Sequence, residues 1–396
     1  MSRTITRRMA NVKPSAVREI LKVTADPSFI SFAAGNPSGD LFPVEALREY
    51  SLDVLANPAS LQYSVTEGYQ ELRDLVSERY GRGYNLKKPG DDTIIVSGGQ
   101  QGIDLAARCL LEEGDAVICE NPSFIGALNC FRMYNAELVG IPCDEYGMLL
   151  DELEVALEAN PRVKLIYTIP TFQNPGGTTL PLERRRKMLE LALKYDIMIL
   201  EDSPYFELSF DGTFPPAIKS LDDSGHVIFV GSFSKIIAPG IRVGFVIAPD
   251  WLTSKMTVAK QGADVHTNGV YMRVAAEFLK NYDVDAHILR CRTLYKEKCG
   301  LMLAEMEKKI DKRVRWTKPG GGLFIWCELP ADKPSAGLCE TLKQQKVAIV
   351  PGVAFDTDPD NLANCGFRLN FSVPSNEQII SGIGLLAEGI SEYLDK

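Results

Sequence analysis

Ile197-Met198-Ile199-Leu200-Glu201-Asp202 is a run of four apolar residues closed by two carboxylates. A strand that is apolar at successive positions is covered on both faces, which is the habit of parallel sheets sandwiched between helices. Leu165-Ile166-Tyr167 is of the same kind, and Leu182 to Tyr195, between the two, has the pattern of an amphipathic helix. Outward from this pair, β-branched runs alternate with helical patterns from about residue 92 to 248. The runs are Thr93 to Ser97, Ala116 to Glu120, Ala136 to Ile141, Lys164 to Ile169, Ile197 to Glu201, Val227 to Gly231 and Val243 to Ala248. They predict an α/β fold with a seven-stranded, mostly parallel sheet. Ligands of such sheets bind beyond the carboxyl ends of the strands.

A long helical stretch around 268 to 312 is followed by a second pattern: Val314-Arg315-Trp316, Gly320 to Trp326, Val347-Ala348-Ile349-Val350 and Phe367 to Phe371. This predicts a smaller α+β domain, closed by a helix from Ser375 to Tyr393 that has Ser375 and Glu377 at its start.

The chain has 396 residues and a formal charge of −9, which argues against a nucleic-acid surface. Arg184-Arg185-Arg186-Lys187 is expected to be a solvated helix face. Nine cysteines without a Cys-x-x-Cys pair suit reduced thiols of a cytoplasmic protein. His226, His266 and His287 are too scattered for a metal site, so no metal is expected. Met1 to Lys13 is basic without a signal-peptide core, and no run of about 18 apolar residues suggests a membrane span.

Several positions carry chemistry. Lys235 lies in Ser232-Phe233-Ser234-Lys235-Ile236-Ile237-Ala238-Pro239-Gly240-Ile241-Arg242, just after a predicted strand. A lysine whose pKa is lowered there can hold an aldehyde as a Schiff base, with Ser232 and Arg242 near a phosphate; an exposed loop lysine is the plain alternative. Gly98-Gly99-Gln100-Gln101-Gly102 joins a strand to a helix and suits either phosphate binding or a tight bend. Asp202 at a strand end can pair with a protonated heteroaromatic nitrogen or cap a helix, and Tyr205 is placed to bond the same ring. Asn174 lies in an Asn-Pro-Gly turn, and Phe124 suits ring stacking or core packing. Arg368, between Phe367 and Leu369, is either a surface residue or a bidentate carboxylate ligand.

Taken together, Ile30 to Pro37, Leu61-Gln62-Tyr63, Gly68-Tyr69, Gly98 to Gln101, Asn174-Pro175-Gly176-Gly177, Glu201 to Tyr205, Ser232 to Lys235, Gly240-Ile241-Arg242 and Phe367-Arg368-Leu369 resemble the fold-type I pyridoxal-phosphate enzymes. The resemblance is to class I/II aminotransferases and spans nearly the whole chain. It implies the aspartate-aminotransferase-like fold, with an N-terminal arm at 1–12, a small domain from 13–45 and 285–396, and a large cofactor-binding domain at 46–284. It makes Lys235 the Schiff-base lysine and Asp202 the partner of the pyridine nitrogen, with Asn174 and Tyr205 on the ring oxygen and Phe124 on the ring face. Gly99, Gln100, Ser232, Ser234 and Arg242 would surround the phosphate of pyridoxal 5'-phosphate. Tyr63 would reach the phosphate of a neighbouring subunit, implying a homodimer. Arg368 would clamp the substrate carboxylate, helped by Asn174 and the backbone at Gly35. Gly99 stands where relatives often have Ser or Thr, and Phe124 where Tyr is commoner.

Ser15 to Leu21 ahead of Ile30 to Pro37 and Phe42-Pro43 resembles the 2-aminoadipate, kynurenine and aromatic aminotransferase subgroup. The resemblance puts Arg18 near a distal substrate carboxylate or, as readily, on a plain helix face. The implied reaction is a ping-pong transamination of 2-aminoadipate, an aromatic or a long aliphatic L-amino acid with a 2-oxo acid, such as 2-oxoglutarate. The rivals are another reaction on the same cofactor (C–S lyase, decarboxylase or acyltransferase) and the sensor domain of a transcription regulator. About a dozen residues precede the first matched helix, a space too small for a DNA-binding module.

Overall fold

The computed structural model describes residues 28–396, together with Ile5, Thr6, Met9 and Asp26. After β1 (Ile30–Ser31) come β2 (Asp91–Val96), β3 (Ala116–Asn121), β4 (Glu137–Asp144), β5 (Gly147–Met148), β6 (Val163–Thr168), β7 (Met198–Asp202), β8 (Val227–Ser232) and β9 (Gly244–Pro249). These last eight form one sheet in the order β2-β9-β8-β7-β6-β3-β4-β5. From β8 across to β4 every pairing is parallel, while β9 runs against both of its neighbours. The seven expected strands are all present. The eighth, β5, is a two-residue return folded back on β4. Its turn is set by Asp144, whose carboxylate accepts from the N–H of Tyr146, and by Gly147 at φ +97°.

The sheet changes direction at β3. The chain goes from β3 outward to β4, then crosses back to lay β6 on the other side of β3 and continues through β7 and β8. The loops leaving β3 and β6 therefore part company, opening a crevice at their carboxyl ends. Buried aromatic side chains, among them Tyr80, Phe206, Phe229, Phe233 and Phe245, pack beneath one face of the sheet. Each removes apolar area worth about 1.5–3 kcal/mol from water.

The second part of the fold has β10 (Arg315–Trp316), β11 (Phe324–Glu328), β12 (Val347–Ala348), β13 (Val350–Pro351) and β14 (Gly366–Asn370). Strands β10-β11-β14-β13 make an antiparallel sheet, and β12 pairs in parallel with β1. That pairing ties the chain at Ile30–Ser31 to the C-terminal part of the fold. The stretch around 268 to 312 is two helices, Gly269–Asn281 and Val284–Lys309, the second capped by Asp283. The last helix, Asn376–Leu394, opens with a capping box of Ser375 and Gln378.

The helix Leu182–Tyr195 has the predicted bounds, yet its basic run is not wholly a solvated face. Arg185 is fully buried and donates to the carbonyls of Leu180 (2.7 Å), Pro170 (2.6 Å) and Pro216 (3.1 Å) and to the hydroxyl of Thr171 (2.8 Å). Arg184, partly exposed, pairs with Asp144 at 2.6 Å. Among the described residues no helix is long and apolar enough to cross a membrane.

Candidate active site

β7 ends at Asp202 and β8 at Ser232, side by side on the carboxyl edge of the sheet. The Ser232 hydroxyl then accepts from the N–H of Ser234 at 3.2 Å, which starts the helical turn Phe233–Lys235 and turns Lys235 back over the edge. Lys235 Nζ donates to the carbonyl of Gly35 at 2.8 Å and lies 5.8 Å from the Tyr205 ring centroid. Burial, with the charges of Arg368 and Arg242, lowers its pKa to about 8, against the opposing pull of Asp202. An amine so tuned is a usable nucleophile and proton carrier near neutrality.

The buried Asp202 accepts from the Tyr167 hydroxyl at 2.8 Å. Burial raises its pKa to about 7, while the Tyr167 bond and Lys235 hold it down. A carboxyl in this condition is short of a cationic partner, and a protonated ring nitrogen would supply one.

Gly98, at φ +83°, introduces the helix Gly99–Leu110. Arg242 lies across it, donating to the carbonyls of Ser97 (3.0 Å) and Pro239 (3.3 Å), and a Cβ on Gly98 would stand 2.4 Å from Arg242 Nη2. A side chain here would displace the guanidinium and be strained at this φ. A Cβ on Gly99 would lie 3.8 Å from Ser232 Cβ and 3.9 Å from Asp202 Oδ1, so this residue floors the space between those two strand ends. Gln100 Nε2 donates to Gly126 O at 2.9 Å, and a Cβ on Gly126 would meet both Gln100 and Phe124 at 2.5 Å. Cationic guanidinium, hydroxyls and free first-turn N–H groups thus converge on one cup, a donor set suited to a phosphate ester.

Opposite the cup, Arg368 on β14 is buried between the rings of Phe324 (4.3 Å) and Phe355 (4.8 Å). Its Nη1 donates to Asn174 Oδ1 and its Nη2 to Ala33 O, each at 2.8 Å, while Nε has no partner. Burial pulls its pKa down to about 10. The Tyr205 phenol is pushed up by burial and by Asp202, while Arg368 and Asn174 pull it down. A flat, phosphorylated heteroaromatic aldehyde fits this arrangement: amine for the aldehyde, carboxyl for the ring nitrogen, amide and phenol for a ring hydroxyl, glycine-floored cup for the phosphate.

Lys235, Asp202, Tyr205, Asn174, Gly35 and Arg368 therefore meet around one cleft, and Gly99, Ser232 and Arg242 line the cup beside it, with Gln100 and Phe124 next to one another at Gly126. Tyr63 does not turn into it: its side chain is 83% exposed and packs edge-on against His266 at 5.8 Å. Arg18 lies outside the described residues. The sequence reading missed Tyr167 and the Phe324–Phe355 sandwich. Tyr167 sits one position before the end of β6, beside β7, but only the inter-strand register shows that its hydroxyl meets Asp202.

Comparison with known proteins agrees with this chemistry. The family model described as aminotransferase class I and II matches residues 27–381. The chain is 39% identical to an aromatic-amino-acid aminotransferase of Thermococcus litoralis over 97% of this chain and 93% of that protein. It is 36% identical to a 2-aminoadipate transaminase of Thermus thermophilus over 97% and 95%. The solved alpha-aminoadipate aminotransferase of Thermus thermophilus, complexed with N-(5'-phosphopyridoxyl)-L-leucine, superposes with a TM-score of 0.90 at 34% identity, covering 99% of this chain and 98% of that one. The chain belongs to the class I and II aminotransferases and is a pyridoxal-phosphate-dependent transaminase.

Proposed function

We propose that this transaminase moves the amino group of 2-aminoadipate, an aromatic or a long aliphatic L-amino acid to 2-oxoglutarate, in two half-reactions that share one site. The observation that carries the reading is Arg368, a buried guanidinium held by Asn174 and Ala33 O with its Nε left without a partner. The relatives named above act on aromatic amino acids and 2-aminoadipate by their names, which supports this donor class.

Pyridoxal phosphate, when bound, supplies a ring that withdraws electrons from the substrate's α-carbon. The protein does the rest. Lys235 holds the aldehyde carbon and, once displaced by substrate, takes the α-proton on Nζ and gives it back on the other side of the exchange. Its pKa of about 8 suits both directions. Asp202 keeps the ring nitrogen protonated, with Tyr167 fixing the carboxyl's orientation. Asn174 and Tyr205 hold the ring hydroxyl, Phe124 covers the ring face, and Gly99, Gln100, Ser232, Ser234 and Arg242 take the phosphate. Arg368, Asn174 and the backbone at Gly35 receive the substrate carboxylate, and Arg18 is proposed for a distal one.

The active unit we propose is a homodimer. Tyr63 projects from a surface that also exposes Leu61 (65%) and Val65 (58%), an apolar group suited to lie against a second copy, with Tyr63 entering the partner's phosphate cup. We divide the chain into an N-terminal arm at 1–12, a large domain at 46–284 and a small one at 13–45 and 285–396; the β1–β12 pairing, within the described part, supports joining the two pieces of the small domain. The proposed location is the cytoplasm, where nine free thiols are stable.

The test is the visible absorbance of the protein with pyridoxal phosphate, recorded with 2-aminoadipate, phenylalanine, leucine, methionine and glutamate in turn. A band that fades with a donor and returns with 2-oxoglutarate supports the proposal and ranks the donors. A band that never returns with 2-oxoglutarate rejects that acceptor. For Arg18, replacement by Ala should weaken 2-aminoadipate far more than leucine, and equal losses would remove its role.

A further inference from the structure

We propose that Glu120 is a positioning residue: through Gln173 its buried carboxyl ties the loop that carries Asn174 to the loop that carries Phe124, and so aims Asn174 at the cofactor's ring oxygen. This rests on the site reading above, in which Asn174 bonds that oxygen.

Glu120 stands next to the end of β3, at the point where the loops leaving β3 and β6 diverge. Its Oε1 accepts from the hydroxyl of Thr168 at 2.7 Å, and its Oε2 accepts from Ile169 N and Gln173 Nε2, each at 3.1 Å. Thr168 and Ile169 are the last residue of β6 and the first beyond it, so one carboxylate clamps the exit of the neighbouring strand. Gln173 carries the clamp onward. The same Nε2 donates to Pro122 O at 2.8 Å, and Gln173 Oε1 accepts from Gly176 N. Gln173 N and O are both used inside the turn as well, bonded to Thr178 O and Gly177 N. Asn174 is thus the next residue after a side chain fixed at both ends, and Phe124 lies two residues after the carbonyl that fixes it. Between them, Ser123 N donates to Phe355 O at 2.8 Å, joining the same loop to the ring that covers Arg368.

Nothing in the packing alone calls for an acid here. Glu120 is 2% exposed and no lysine or arginine pairs with it among the described residues, so burial raises its pKa to about 7. A carboxyl without a countercharge is a costly way to fill such a site. What it supplies is acceptor capacity for three converging donors, two from the strand exit and one from the catalytic loop. Glutamine in its place can turn its oxygen to Ile169 and Gln173 and donate its amide to the Thr168 hydroxyl, whereas methionine, of similar length, offers none of the three donors an acceptor oxygen.

The experiment reads the pH midpoint of the visible absorbance of bound pyridoxal phosphate. A hydrogen bond donated to the ring oxygen favours its anionic form and lowers this midpoint. Glu120→Met in the holoenzyme should raise the midpoint by about half a unit to one unit, the shift given by one hydrogen bond of ordinary net strength. Asn174→Ala should raise it at least as far, and the double variant no further than Asn174→Ala alone. If Asn174→Ala shifts the midpoint and Glu120→Met does not, or if the two shifts add, the positioning role is overturned while the site reading stands. If Asn174→Ala itself leaves the midpoint in place, the site reading fails instead. Should Glu120→Met fail to fold, Gln173→Leu severs the link while leaving Glu120 bonded to Thr168 and Ile169, and the same outcomes apply.

Discussion

Two buried arginines of this protein, Arg185 and Arg368, have pKa values lowered to about 10 by burial, and they are opposites in bonding. Arg185 is saturated: Nε and Nη2 meet carbonyls and a hydroxyl at the base of the 170–180 loop, and Nη1 meets the carbonyls of Pro215 and Pro216. Arg368 has one bond from each Nη and an orphan Nε, in a slot between two aromatic rings. The adjacent acids Glu201 and Asp202 repeat the contrast. Glu201 accepts from Ile218 N (3.2 Å) and Lys219 N (2.8 Å), whereas Asp202 has only Tyr167. Burial alone does not mark a working residue; burial with unspent bonding capacity does.

The contrast breaks most visibly at Arg185. Arg185→Leu strands several buried carbonyls and should cost about 3–5 kcal/mol in urea unfolding. A loss under about 1 kcal/mol would show that those carbonyls do not depend on it. Next, Arg368→Gln should lower kcat/KM for an α-amino acid by roughly 100-fold, about 2.7 kcal/mol of transition-state binding, with the thermal midpoint scarcely moved. A large fall in stability with near-normal turnover would reverse its assignment.

The acid pair offers a pH test in the cofactor-free protein. The native pKa of Asp202, about 7, lies above its ordinary 3.8, so the folded state binds more protons than the unfolded chain between those values. Its contribution is present below about pH 4 and is lost as pH rises through about 7. Asp202→Asn should remove a stability change on the order of 2 kcal/mol across that window, read as a smaller difference between unfolding free energies at pH 5 and pH 8. An unchanged difference would mean that Asp202 is already partnered. The smallest effect belongs to a residue that bonds neither arginine: Ser375→Ala removes the cap of the last helix and should cost about 1 kcal/mol while sparing turnover. Altered turnover in that variant would spoil it as the baseline against which the others are judged.

The strands of the large sheet were legible because β3, β6 and β7 are apolar on both faces, and strand ends are where Asp202 and Ser232 proved to lie. β5 was illegible because two residues cannot show a period. Arg185 was misread by its charge, although its spacing told otherwise: 185, 188, 189 and 192 lie on one helical face, and Met188, Leu189 and Ala192 share its burial. Tyr167 and the Glu120–Gln173 link depend on which strands neighbour one another, which no local pattern encodes. Arg368 was recognised as a candidate, but its aromatic sandwich joins rings 31 residues apart in the chain, Phe324 and Phe355.

Ala33 O receives Arg368 and Gly35 O receives Lys235, so two of the cleft's cations are fastened to carbonyls two residues apart. That span of backbone cannot exceed about 7 Å however it is drawn out. The chain at 33–35 therefore serves as a ruler laid between the group that grips a carboxylate and the group that reacts with the neighbouring carbon. Residues inserted into that stretch would let the two groups drift apart, and with them the places where a carboxylate and its neighbouring carbon can be met.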